Sequence, residues 1–179
     1  MNGPEARELP ITHLVAELAR ARIGDTFNQY APSAQLRGRL AAYLASRRDA
    51  PILLVGEAAG YRGARVSGIP FTSERQLTGA GPAEASATIV HRVLAELGLE
   101  ERVLLWNVVP THPGTPNSNR RPTRAEVTAG ARFLEPLARG RRVIAVGRLA
   151  QETTGAPYVR HPSRGGARRF RAGLLQSVS

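Results

Sequence analysis

Three short apolar runs constrain this chain most: Pro51–Glu57 (PILLVGE), Val103–Val109 (VLLWNVV) and Arg142–Gly147 (RVIAVG). Each is too short for an ordinary helix, and each is rich in valine, isoleucine and leucine. Runs that are apolar at successive positions suit strands buried on both faces. A weaker run of the same kind is Pro157–His161 (PYVRH). Between the runs, helical spacing covers Thr12–Arg22, Ala34–Arg48, Pro82–Leu97, Thr123–Arg139 and Gly166–Val178, with a short turn from Arg148. Thr123 and Glu126 stand at capping-box spacing, which makes that helix start the firmest boundary. The alternation predicts an α/β chain, a three-layer α/β/α sandwich around a central, mainly parallel four-stranded sheet. A length of 179 residues suits a single domain spanning 1–179.

In open sheets of this kind, ligands sit beyond the carboxyl ends of the strands. Two long segments rich in glycine, proline and polar residues leave such ends, Gly56–Gly81 and Pro110–Pro122, and a shorter one follows His161. The first, GEAAGYRGARVSGIPFTS, has neither the GK[ST] of a phosphate-binding loop nor a GxGxxG. Its glycines permit close backbone approach, Glu57 is held at a strand end, and Phe71 is either a stacking platform or a core plug. Asn107 interrupts the second strand. Its amide suits the edge of a base or the tying of a loop. His161 is placed to donate to a leaving group or is simply a surface histidine. Ser163 and the amides of Gly165 and Gly166 are candidates to hold a phosphate, flanked by Arg164, Arg168 and Arg169.

The chemistry open to the chain is narrowed by what it lacks. There is no cysteine, so disulfides, thiolate catalysis and cysteine-bound metal clusters are excluded. His13, His91, His112 and His161 show no metal-binding spacing, and the expectation is no metal and no cofactor. No stretch approaches the roughly 20 apolar residues of a membrane span, and the first residues lack a secretory pattern, so a cytoplasmic protein is expected. The net charge of +11, carried by arginine, fits a polyanionic partner and equally a genome rich in arginine codons.

Taken in order, five segments resemble the uracil-DNA glycosylase superfamily over roughly residues 50 to 175. Gly56-Glu57-Ala58-Ala59-Gly60 is similar to the GEAPG-type first motif of its thermostable, iron–sulfur branch. Phe71, in GIPFTS, stands where the family stacks a flipped base, and Asn107 matches its uracil-reading asparagine. NRRPTRAE, Asn119 to Glu126, resembles the NRxPTxxE segment of the same branch, and His161–Ser163 (HPS) resembles the second catalytic motif. The four cluster cysteines of that branch are missing here, which implies a cofactor-free relative. The catalytic aspartate and thymine-blocking tyrosine of the best-known branch correspond to Ala58 and Gly60, so neither role carries over.

The resemblance implies a monofunctional glycosylase of base excision repair acting on uracil-containing DNA. It assigns uracil binding to Gly56, Ala58, Phe71 and Asn107, and catalysis to His161 and Glu57. DNA binding falls to Ser163, Arg164, Gly165, Gly166, Arg168 and Arg169, with loop Arg164–Arg169 as a wedge. Thymine exclusion is expected from Tyr61, Glu74 or pocket shape, and the chain is expected to act as a monomer. The competing reading is a nucleic-acid-binding module of the same fold that has lost its chemistry, since Ala58 removes a carboxylate.

Overall fold

The computed structural model describes residues 10–179. The sequence reading of the first nine residues, on which the argument against a secretory leader partly rests, lies outside that range. The described chain opens with α1 (Ile11–Arg20) and α2 (Ala34–Ser46), whose buried residues Leu14, Val15 and Leu18, then Leu36, Leu40 and Leu44, recur at helical spacing. Ser33 caps α2 by accepting from the amide of Leu36 (3.1 Å). The central strands follow as β1 (Ile52–Ala58), β2 (Val103–Val109), β5 (Arg142–Val146) and β6 (Tyr158–Val159). They form one sheet in the order β2-β1-β5-β6, every pair parallel.

Side-chain alternation along the strands divides the interior into two cores. Leu53, Val55, Leu104, Trp106, Val108 and Ala145 face α1 and α2, together with α6 (Arg124–Ala131), α7 (Glu135–Ala138) and α8 (Arg148–Thr154). Ile52, Leu54, Val103, Leu105, Ile144 and Val146 face α5 (Ala85–Glu96) and α9 (Ala167–Val178). Helices therefore cover both faces, and the three-layer sandwich predicted from the runs is the fold observed.

Boundaries depart from expectation where local chemistry overrides periodicity. The helix expected over Thr123–Arg139 divides into α6 and α7, because Pro136 lacks the amide that would continue the ladder. Gly130, near the end of α6, packs so close to β2 that an added methyl would lie 2.5 Å from the Val108 carbonyl. The Pro82–Leu97 helix begins only at Ala85. The loop after β1 holds two short helices, α3 (Ala64–Ser67) and α4 (Glu74–Thr78), and the loop after β2 holds a small hairpin of β3 (Gly114–Thr115) and β4 (Ser118–Asn119). Among the described residues no helix is long and apolar enough to cross a membrane.

Candidate active site

The carboxyl ends of β1, β2 and β6 open into one pocket lined by Glu57, Ala58, Gly60, Ala64, Phe71, Glu84, Ser86, Asn107 and His161. It forms around a close approach across the sheet. Gly56 of β1 is the register partner of Asn107 of β2. A methyl group at Gly56 would lie 2.2 Å from Phe71 Cζ and 2.8 Å from Asn107 Oδ1. Only glycine leaves room for the ring and the amide together. Gly56 therefore supports the pocket from beneath instead of lining it.

Phe71 reaches this position through a left-handed backbone (φ 52°), costly for an aromatic residue and of a kind concentrated at functional sites. Several hydrogen bonds hold the turn. The Ser67 hydroxyl, itself accepting from the Ile69 amide (3.0 Å), lies 2.6 Å from the Thr72 carbonyl, and Tyr30 donates to the Gly68 carbonyl (2.9 Å). The Phe71 side chain is buried, with part of it against the Leu54 and Val90 core and part lining the pocket. Core plug and platform are thus compatible. Asn107 is also mostly buried, and its amide makes no hydrogen bond to another group among the described residues, which leaves both its oxygen and its nitrogen free for whatever enters the pocket.

His161 is defined by its neighbour. The Ser163 amide donates to His161 Nδ1 (3.1 Å), and the Ser163 hydroxyl lies 2.8 Å from the same nitrogen. A nitrogen that accepts an N–H cannot carry a proton, so the neutral ring holds its proton on Nε2. Burial, with Arg160 nearby, keeps the imidazole below the ordinary histidine range and favours that neutral form. The pocket thus contains a fixed neutral donor.

Two carboxyl groups share the pocket. Burial raises the pKa of Glu57, with Arg121 opposing the rise, and burial alone raises that of Glu84. Neither side chain hydrogen-bonds to another described residue. Glu84, the first residue before α5, leaves the helix amides uncapped and lays its carboxylate on the loop instead. A methyl at Gly60 would lie 2.1 Å from Glu84 Oε2, and one at Gly63 2.5 Å from the same atom. Glu84 and Ser86 were not expected, because GPAEASAT reads as the start of a helix, and neither was Ala64, a small residue with no chemistry to single it out. The suggested thymine barriers are also corrected: neither Tyr61 nor Glu74 lines the pocket. Glu74 is instead engaged by Arg39 through a two-pronged ion pair (2.7 and 3.0 Å).

The Pro110–Pro122 segment braces the pocket without lining it. Asn119 Oδ1 accepts from the Tyr61 amide (2.9 Å), and His112 Nδ1 lies 2.7 Å from the Ala59 carbonyl. Beyond Arg120, the buried Glu126 accepts two guanidinium bonds (2.8 and 2.6 Å) and the amides of Thr123 (2.8 Å) and Asp25 (3.2 Å). These bonds, the Arg120 contacts foremost, lower its pKa to about 2. The capping box predicted from sequence also ties two loops, the one between α1 and α2 and the one leading into α6, to one carboxylate.

The segment after His161 carries exposed Arg164, Gly165, Arg168 and Arg169 beside the partly buried Ser163. Arg164 has a left-handed backbone (φ 51°). One detail of the sequence reading is corrected: the Gly166 amide is not free for a phosphate, since Gly166 is buried and donates to the Ser163 carbonyl (3.0 Å). Its lack of a side chain is required there, because a methyl would lie 2.1 Å from the His161 carbonyl oxygen. Arg168 and Arg169 occupy the first turn of α9, where cations oppose the helix dipole. The positive end of that helix and the arginines reinforce one another as an attraction for anions.

The family model described as the uracil DNA glycosylase superfamily matches residues 44–175. Among solved structures, the chain is similar to wild-type SMUG2 from Pedobacter heparinus, at a TM-score of 0.68 and 12% identity, over 95% of this chain and 97% of that one. A wild-type UNG from Nitratifractor salsuginis aligns at a TM-score of 0.48 and 16% identity, over 99% and 97%. No curated protein sequence matches.

Proposed function

The chain belongs to the uracil DNA glycosylase superfamily, and we propose that it removes uracil from DNA by hydrolysing the bond between base and deoxyribose. The observation that carries this reading is the arrangement over Gly56. A flat apolar ring, an amide free of protein partners among the described residues and a fixed neutral imidazole donor share one pocket. A pyrimidine extruded from the stack would lie on Phe71, with its N3–H and O4 paired to the oxygen and nitrogen of the Asn107 amide. Cytosine presents the opposite donor and acceptor pattern there and is disfavoured.

As the C1′–N1 bond breaks, electrons move into the ring and negative charge develops on O2. His161 Nε2–H is the donor for that oxygen. A single preorganised donor of this type is worth about 10²–10³ in rate. The sugar, left electron-poor at C1′, takes the oxygen of a water whose proton must be accepted nearby. Glu57 is the candidate acceptor, since Ala58 offers no carboxylate. The products are free uracil and an abasic deoxyribose. No residue of the 179 is lysine, so no lysine side chain exists to form a Schiff base and cut the strand afterwards, which supports a monofunctional hydrolase.

The exposed arginines at 164, 168 and 169 serve the DNA backbone in this reading, and the turn at Arg164 ahead of α9, shorter than the Arg164–Arg169 loop expected from sequence, is the wedge beside the vacated base. The protein acts as a monomer in the cytoplasm and needs neither metal nor cofactor. Release of free base from a labelled oligonucleotide containing one uracil tests the proposal, with His161→Ala and Asn107→Ala alongside. Loss of release in both variants is expected.

A further inference from the structure

We infer that the Glu84 side chain is the wall facing ring position 5 of the extruded pyrimidine, and that it excludes a methyl group there and so rejects thymine. The inference rests on the proposed uracil reading and follows from the order of atoms around the ring. O2, N3 and O4 are consecutive polar positions. With His161 on O2 and Asn107 on N3 and O4, that edge is fully occupied. N1 carries the sugar and points to the mouth, which leaves C5 and C6 for the remaining lining.

That remaining lining is Glu57, Ala58, Gly60, Ala64, Glu84 and Ser86. The alanines, the glycine and the serine contribute little bulk, so the two glutamates shape the wall. Glu57 has a task elsewhere in the proposed reaction, at the water that attacks C1′ on the sugar side of the base. Glu84 instead fills the space above Gly60 and Gly63, with its Oε2 2.1 Å from where a Gly60 side chain would begin. Bare backbone at Gly60 and a long side chain at Glu84 are complementary. The absence of a cap on α5 fits the same assignment, because Glu84 forgoes a stabilising role in its own helix. A methyl group pressed onto this carboxyl would also displace whatever water solvates it, since no described protein group does so. Bulk and polarity act in the same direction.

The test compares release of uracil and of thymine, each opposite guanine in the same labelled duplex, by wild type, Glu84→Ala and Glu84→Gln, with circular dichroism verifying the fold of each. Wild type should release uracil and not thymine. Glu84→Ala should gain thymine release, lowering the uracil-to-thymine ratio by roughly 10–200-fold, the range one methyl group is worth in a pocket. Glu84→Gln keeps the bulk and should still reject thymine. A folded Glu84→Ala enzyme that releases uracil and stays blind to thymine would overturn the assignment alone, as would thymine release by Glu84→Gln equal to that of Glu84→Ala. Wild type that releases neither base would overturn the uracil reading, and this assignment with it.

Discussion

Gly56 and Phe71 are in contact at a distance that admits no side chain on the glycine: a methyl group would sit 2.2 Å from Cζ of the ring. The contact joins a buried strand to a loop residue in a left-handed conformation, and it fixes the ring beside the Asn107 amide. Neither neighbour yields cheaply. The ring is buried, and Asn107 belongs to a strand buried along its whole length.

Gly56→Ala should therefore displace the ring or the amide. Overpacking of this kind costs about 1–3 kcal/mol in stability, and thermal melting should show it. Uracil release should fall at least about a hundredfold, because misplacement by about 1 Å is enough for such a loss. A variant with lowered stability and unchanged turnover would detach Phe71 from the chemistry.

The acid limb of the pH profile should report two groups. Burial raises Glu57 and lowers His161, so their titrations approach each other from opposite sides. As pH falls, Glu57 gains a proton and can no longer accept one from water. His161 gains one on Nδ1 and loses the bond from the Ser163 amide. Glu57→Gln should lower turnover at least about tenfold and keep an acid limb due to His161 alone, below the ordinary value of about 6.5. Rate measurements from pH 5 to 9 on both proteins decide this; near-normal turnover by Glu57→Gln removes Glu57 from catalysis.

Ser163→Ala retains the amide that sets the His161 tautomer and loses only the hydroxyl at 2.8 Å. One hydrogen bond is worth about 1 kcal/mol, so a loss in kcat of about fivefold is expected from single-turnover rates. A loss as large as that of His161→Ala would show that the hydroxyl, not the amide, defines the donor.

Stability should depend on acid through Glu126. Its folded-state pKa, lowered from 4.5 to about 2, means that the stabilisation is fully present above pH 4.5 and is lost as pH falls toward 2. The amount is on the order of 2–3 kcal/mol. Glu126→Gln should lower the melting temperature at pH 7 and flatten its dependence between pH 5 and pH 3. An unchanged slope in that window would assign acid sensitivity elsewhere.

Binding to DNA should weaken when Arg168 and Arg169 are replaced by alanine, and its salt dependence should become shallower. Each lost phosphate contact lowers the slope of log K against log salt by about 0.9 on duplex. Fluorescence anisotropy at several salt concentrations measures both. An unchanged slope would place the DNA elsewhere.

The strands were legible because residues such as Leu53 and Leu54 are buried on opposite faces, which produces an unbroken apolar run. Phe71, Asn107 and His161 were legible because their segments resemble a known family, and each lies in the pocket. Glu84 was not, since what marks it is the fit of its carboxylate over the bare backbone of Gly60 and Gly63, which no spacing in GPAEASAT reveals. The β3–β4 hairpin escaped because two-residue strands leave no alternation to read, and the break between α6 and α7 because Pro136 was absorbed into a longer periodic pattern. The commitment of the Gly166 amide to the Ser163 carbonyl is likewise a property of the folded turn.

The proposed excision of uracil depends on a pocket built from Phe71, Asn107 and His161. The measurement that tests it most directly is base release from a labelled oligonucleotide with a single uracil, presented single-stranded and opposite guanine or adenine, using wild type, Asn107→Ala and His161→Ala. Wild type should yield free uracil and an alkali-sensitive site, with release reduced at least about a hundredfold in each variant. Wild type that binds every strand with salt-sensitive affinity and frees no base would contradict it and make the chain a nucleic-acid-binding module.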